Sequence, residues 1–195
     1  MPKRQLKPKT ILYPLPAVLV SCCDGNGNSN IITISYTGIL SADPPLVYIS
    51  VRPARFSYPM LKEGGDFVIN IPGMEHLGVT DYCGVASGRN GSKFETTGLT
   101  ELPASVVKSP LIAECPVNLE CKITQVVPCG THDVFMAEVV AAHADEGILT
   151  DGGKVDIAKV AAIAFCYDAL EYWSLNARAR GYGFTKGKLK SRQPG

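Results

Sequence analysis

The sequence predicts a mostly β protein, an antiparallel barrel carrying a few short helices. Three observations predict it. Short runs of β-branched and aliphatic residues recur along the chain. Clusters of Gly, Asn, Asp and Pro separate them at hairpin distances. No alternation of strands with long amphipathic helices is present, which sets aside a doubly wound nucleotide-binding domain. At 195 residues, 46% hydrophobic and 19% charged, with 19 Gly and 14 Pro, the chain can bury a substantial core and is not disordered. We divide it into a polar lead-in over 1–14, a barrel domain over 15–173 and a tail over 174–195.

Each element follows from local chemistry. Ala17–Cys23 (AVLVSCC) is an apolar strand. Asp24–Asn28 (DGNGN) is a dense turn signal, because Asn and Gly accept positive φ, so the strand beginning near Asn30 closes a hairpin. A hydroxyl-rich loop, Thr33–Gly38, leads past Asp43-Pro44-Pro45 into a third strand at Leu46–Val51. Arg52–Arg55 forms a turn, Ser57 is the expected N-cap of a helix through Lys62, and Gly64-Gly65 ends it. Phe67–Ile71 is the fourth strand. Met74–Cys83 reads as a helix, and the following GVASGRNGSKFETTG as a loop long enough to suggest function. A second strand group comprises Val117–Val127, a turn at Pro128–Asp133, Val134–Ala142, a short strand at Ile148–Leu149 and Val160–Cys166. The total is seven or eight strands and two or three helices. Aromatics in the stretch Tyr167–Gly195 (Tyr172, Trp173, Tyr182, Phe184), set among Arg, Gly and Lys, are expected to pack on the barrel or on another subunit.

Composition excludes several classes. A net charge of +1 argues against a nucleic-acid surface, and the basic termini read as solvated tails. Seven cysteines without a CxxC pair, and no signal-like segment, predict reduced thiols in a cytoplasmic protein. No apolar run reaches the roughly 18–20 residues that span a bilayer. His76, His132 and His143 do not cluster with the cysteines, so no metal site is expected.

Two polar clusters remain. Thr33, Ser35, Tyr36 and Thr37 form one; Ser50, Arg52, Arg55, Ser57 and Tyr58 form the other. Hydroxyls and guanidinium forks at the ends of rigid strands are what a phosphorylated planar ligand needs, and a helix start beside Arg55 favours phosphate. The plainer reading is a polar strand face and an exposed turn whose arginines pair with acids. Cys83–Phe94 resembles an anion loop through Ser87-Gly88, Arg89 and Lys93, yet lacks the GxxxxGK[ST] order of a triphosphate site. His132-Asp133 sits at the predicted hairpin turn, and no GxSxG elbow is present for a hydrolase triad.

Together these stretches resemble the flavin reductase-like family, the FMN-binding split barrel, and within it the flavoredoxin-type branch. The residues that carry the match are NIITISYTGILSADPPLVYISVRPARFSY, GDFVINIP, DYCGVASGRNGSKFE and GTHDVFMAEVVAAH, in the family's order, over about Leu15 to Trp173. Gly91-Ser92 departs from the apolar-acidic pair that relatives commonly carry. The resemblance implies a six-stranded Greek-key barrel with extra helices, and a homodimer holding FMN near the subunit interface. It implies that Thr33, Ser35, Tyr36 and Thr37 line the isoalloxazine, and that Ser50, Arg52, Arg55, Ser57 and Tyr58 hold the ribityl phosphate. Cys83, Gly84, Ser87, Gly88 and Lys93 would flank the phosphate side. His132 would stand at the open ring face where NADH or NADPH delivers hydride, the one residue given a catalytic part. The implied activity is NAD(P)H:flavin or ferric oxidoreduction, with a free flavin, ferric iron or a protein as acceptor. The alternatives are an FMN-dependent electron carrier that does not oxidise NAD(P)H and a non-enzymatic ligand-binding barrel.

Overall fold

A computed structural model of the chain describes residues 1–175. Its centre is a seven-stranded antiparallel sheet in the order β3-β2-β6-β9-β10-β5-β4. The strands are β2 (Val18–Cys23), β3 (Ser29–Ile34), β4 (Thr37–Ala42), β5 (Pro45–Val51), β6 (Asp66–Ile71), β9 (Val117–Cys129) and β10 (His132–Ala144). The sheet curls on itself: its two edge strands, β3 and β4, are joined by Ser35-Tyr36 alone. Ser50 N donates to Tyr36 O (2.8 Å), extending the β4–β5 ladder into that joint. One apolar core fills the interior, drawing Val20, Ile32, Ile49, Phe67, Cys121 and Phe135 from six strands. This is the antiparallel split barrel expected, with one strand more than the six implied.

The departures have local causes. The stretch read as a hydroxyl-rich loop contains a strand, β4, because Thr37–Ala42 pairs with β5 across the Asp43-Pro44 turn. The six-residue turn at Pro128–Asp133 shrinks to Gly130-Thr131, with Gly130 at φ +71°, so His132 and Asp133 belong to β10. Ile148–Leu149 is not a strand; Glu146–Ile148 forms a 3-10 turn. Val160 ends a short helix, α4 (Ile157–Val160), and the closing strand β11 is only Ile163–Cys166. The supposed long loop holds a 3-10 turn, Gly88–Asn90, and a helix, α3 (Lys93–Thr97), capped by Ser92 Oγ. The described residues thus contain twelve strands and four short helices rather than seven or eight and two or three. Three of the additional strands are two-residue ladders: β1 (Leu15–Pro16), β7 (Glu101–Leu102) and β8 (Leu111–Ile112).

Helix α1 (Ser57–Gly64) stops where Gly65 turns left-handed at φ +73°. Ser57 is not its cap. Phe56 takes that position, and the Ser57 hydroxyl is buried against Asn30. Helix α2 (Leu77–Val85) lies on β3. Strand β12 (Glu171–Ser174) pairs with β11, which pairs with β1. Tyr172 packs on Phe165 there, while Trp173 stays exposed. Tyr182 and Phe184 lie outside the described residues.

Candidate functional site

Strands β3 and β5, the turn Arg52–Phe56 and helix α2 converge at one end of the barrel around two cavities. The first, of about 210 Å³, is lined by Thr33, Ser35, Tyr36, Ser50, Arg52, Arg55 and His132, with Phe165 and Tyr167. The second, of about 160 Å³, is lined by Arg55, Ser57, Cys83, Gly84, Ser87, Gly88 and Lys93, with Asn30 and Phe56. Ile32 and Arg55 belong to both walls. Together the cavities reach the size of roughly 300–1,000 Å³ usual for a small-molecule site. Residues far apart in sequence, 33–55 and 83–93, are thereby drawn to one groove.

Two expected residues do not line it. The Thr37 hydroxyl donates to Tyr48 O and pins the β4–β5 hairpin. The Tyr58 hydroxyl donates to Asp133 Oδ2, and its ring packs edge-on against Phe135, so it braces the barrel. Both hydroxyls are spent before any ligand could use them.

The second cavity is rich in donors. Lys93 is almost wholly buried, yet its ammonium donates to Ile31 O (2.8 Å) and Cys83 O (2.7 Å). Burial lowers its pKa from the ordinary lysine value. Asn30 Nδ2 donates to Ser57 Oγ (2.8 Å). Ser87 Oγ accepts from Arg89 N, shaping the small turn that follows. A Cβ on Gly88 would stand 2.4 Å from Phe56 Cδ1 and 2.6 Å from Asn30 Oδ1, so this wall requires glycine. Gly84 lets α2 close on β3, where a Cβ would come to 3.3 Å from Thr33 Cβ. Burial pushes the Cys83 thiol up to about 11 despite nearby Lys93. It is a packing residue, not a thiolate.

In the first cavity the charge is positive. Arg52 and Arg55 are exposed and appear in no ion pair among the described residues. Arg52 Nε donates to His132 Nε2 (3.4 Å), so Nε2 accepts and Nδ1 carries the proton toward Thr131 Oγ1 at 2.9 Å. Burial, then Arg52 and Arg55, lowers the His132 pKa below the ordinary 6.5. The neutral imidazole lies 5.3 Å, centroid to centroid, from the Tyr36 ring, which lies 5.4 Å from Tyr167. Sequence reasoning missed Asn30, Phe56, Phe165 and Tyr167. Phe165 and Tyr167 flank a strand end, and only the fold brings that end across to residues 33–36.

The donor set fits a ring carrying a phosphate: hydroxyls and aromatics on one side, and Arg55, Ser57, Ser87, Lys93 and a glycine cradle on the other. Among the described residues no group of His, Cys, Asp and Glu could hold a metal ion, and no helix is long and apolar enough to cross a membrane.

The Flavin reductase like domain family matches residues 11–163. The fold is similar to that of flavoredoxin of Desulfovibrio vulgaris (Miyazaki F), with a TM-score of 0.88 and 32% identity over 95% of this chain and 99% of that one. A protein of Archaeoglobus fulgidus is 34% identical over 146 residues, 75% of this chain and 80% of its own. An FMN reductase (NADH) of Pantoea ananatis is 24% identical over 67% of this chain and 66% of its own.

Proposed function

The chain belongs to the flavin reductase-like family, and from that premise we propose that it is an FMN-binding NAD(P)H:flavin or ferric oxidoreductase. The observation that carries the proposal is Arg55, shared by a ring-sized cavity and a donor-lined one. FMN, when bound, would supply the redox chemistry, hydride transfer from NADH or NADPH and electron transfer to a flavin, ferric or protein acceptor. The rest falls to this chain's residues. Ser35, Tyr36 and Ser50 present hydroxyls, and the Thr33–Tyr36 stretch backbone groups, to the polar edge of the ring, while the Thr33 hydroxyl itself donates to Thr80 O and ties β3 to α2. Arg52 and Arg55 offset the charge that a reduced ring would carry, and Arg55 with Ser57, Ser87 and the Gly84 and Gly88 cradle receives the phosphate. A bidentate guanidinium suits that phosphate geometrically.

His132 stays neutral and uncharged beside the ring cavity, leaving space and an edge for a nicotinamide to stack. No acid–base residue is required for hydride transfer, and none of the cavity residues is arranged as one. The reading includes a homodimer in the cytoplasm, consistent with seven free cysteines. The name of the Pantoea ananatis protein supports NADH as donor. Anaerobic mixing of the FMN-loaded protein with NADH and with NADPH tests the proposal. Bleaching of the flavin band by at least one donor is expected. Bleaching by neither contradicts the reductase reading and leaves an electron carrier.

A further inference from the structure

Residues 1–14 are exposed along their whole length, so no core holds this lead-in in place. It is nevertheless anchored twice. Leu15 pairs with Phe165, and Ala17 N donates to Ile163 O (3.0 Å), which sets its end beside β11. Further back, Lys9 Nζ donates to both carboxylate oxygens of Asp168 (2.7 and 2.9 Å). Between the anchors, Ile11 N donates to Lys9 O (3.1 Å) and bends the chain.

Asp168 directly follows Tyr167 in the turn that joins β11 to β12. Tyr167 lines the ring cavity, as does Tyr36, and their rings stand 5.4 Å apart, centroid to centroid. Thr10 bears on the same pair: burial, then Tyr167, raise the Tyr36 pKa, and the Thr10 hydroxyl opposes them. Lys9 and Thr10 thus address both partners of one aromatic contact. Neither of them, nor Asp168, lines the cavity. The Lys9 and Asp168 side chains are 44% and 47% exposed, and an ion pair that open to solvent adds little to fold stability. It can still bias a turn between two positions.

We propose that Lys9 and Asp168 are positioning residues: a clasp from the lead-in that holds Tyr167 against Tyr36 and sets how fast a ring enters and leaves the cavity. The inference rests on the flavin reading of that cavity. With the clasp formed, Tyr167 keeps its place in the wall; with it broken, the turn moves and Tyr167 moves with it. Because the clasp touches no part of the cavity, it alters the barrier to exchange rather than the fit of the ring.

The test compares the full chain with its Lys9→Ala, Asp168→Ala and Lys9→Arg variants. In the free protein, NMR cross-peaks between the Tyr36 and Tyr167 rings are expected for the unaltered chain and Lys9→Arg, and are lost in both alanine variants. Stopped-flow mixing with FMN should show association and dissociation rate constants each raised at least fivefold in the alanine variants, with Kd within twofold and Tm little changed. Lys9→Arg should keep the unaltered rates. Cross-peaks that survive in the alanine variants, unchanged exchange rates, or a rise confined to the dissociation rate constant overturns the clasp. Cross-peaks that follow the clasp in a chain that takes up no FMN keep the positioning of Tyr167 and contradict the flavin reading instead.

Discussion

His132 stands beside two guanidinium groups, and its electrostatics give the sharpest prediction for a single residue. Burial and the charges of Arg52 and Arg55 hold its pKa below 6.5. The imidazole is therefore neutral at pH 7 and charges only under more acidic conditions. NMR titration should place its midpoint below 6.5, and Arg52→Ala should move that midpoint upward by removing a like charge. In the same spirit, His132→Ala should slow reduction by NAD(P)H more than it weakens FMN binding, read by stopped-flow against equilibrium titration. The opposite order would take His132 out of the nicotinamide role. Individual site residues were partly legible in the sequence. Arg52, Arg55 and the Thr33–Tyr36 hydroxyls stood out as charge and hydroxyl clusters at strand ends, and the fold brings them to one cavity wall. Thr37 and Tyr58 look identical at that level, and only their hydrogen bonds to Tyr48 O and Asp133 show that they are structural.

At the scale of elements, two carboxylates hold the irregular segment between β7 and β8. Glu120, on β9 and fully buried, accepts from Ser105 N and Oγ, Val106 N and Val107 N, and lies 2.7 Å from His143 Nε2. Asp66 accepts from Lys108 N and Ser109 N. Burial opposes the charged form of Glu120, yet the bonds from Ser105, His143 and Val107 outweigh it and bring its pKa down to about 2 from 4.5. A depressed carboxylate stabilises the fold fully above pH 4.5, and that contribution is lost as pH falls toward 2. Glu120→Gln should therefore cost on the order of 2–3 kcal/mol at pH 7 and flatten the acid limb of a Tm-versus-pH profile. The Gly88 turn makes a second prediction. Gly88→Ala drives a methyl into Phe56 and Asn30, which should cost about 1–3 kcal/mol by overpacking and weaken FMN binding, seen by thermal melts and titration. Element boundaries explain most of what the sequence hid. Pairing with β5 made a strand of Thr37–Ala42, and the two-residue turn at Gly130-Thr131 extended β9 and β10. Both are decided by partners that a local window does not contain.

The molecule as a whole is a barrel whose candidate groove is assembled from segments about 130 residues apart, from Thr33 to Tyr167. The barrel class was readable because β2, β3, β5 and β6 are short, largely aliphatic runs closed by turn residues. The groove was readable only in halves. Phe165 and Tyr167 reach it from the end of β11, which lies in a separate three-stranded sheet with β1 and β12, a placement no spacing announces. The central claim is that Arg55 joins those halves around one phosphate-bearing ring. Titrating FMN into the unaltered protein and into Arg55→Ala, followed by flavin fluorescence, tests it most directly. One site per chain is predicted, with affinity in the variant lower by about 1.5–3 kcal/mol, roughly ten- to 150-fold. Equal affinity in the two proteins, or no uptake of FMN by either, would contradict it.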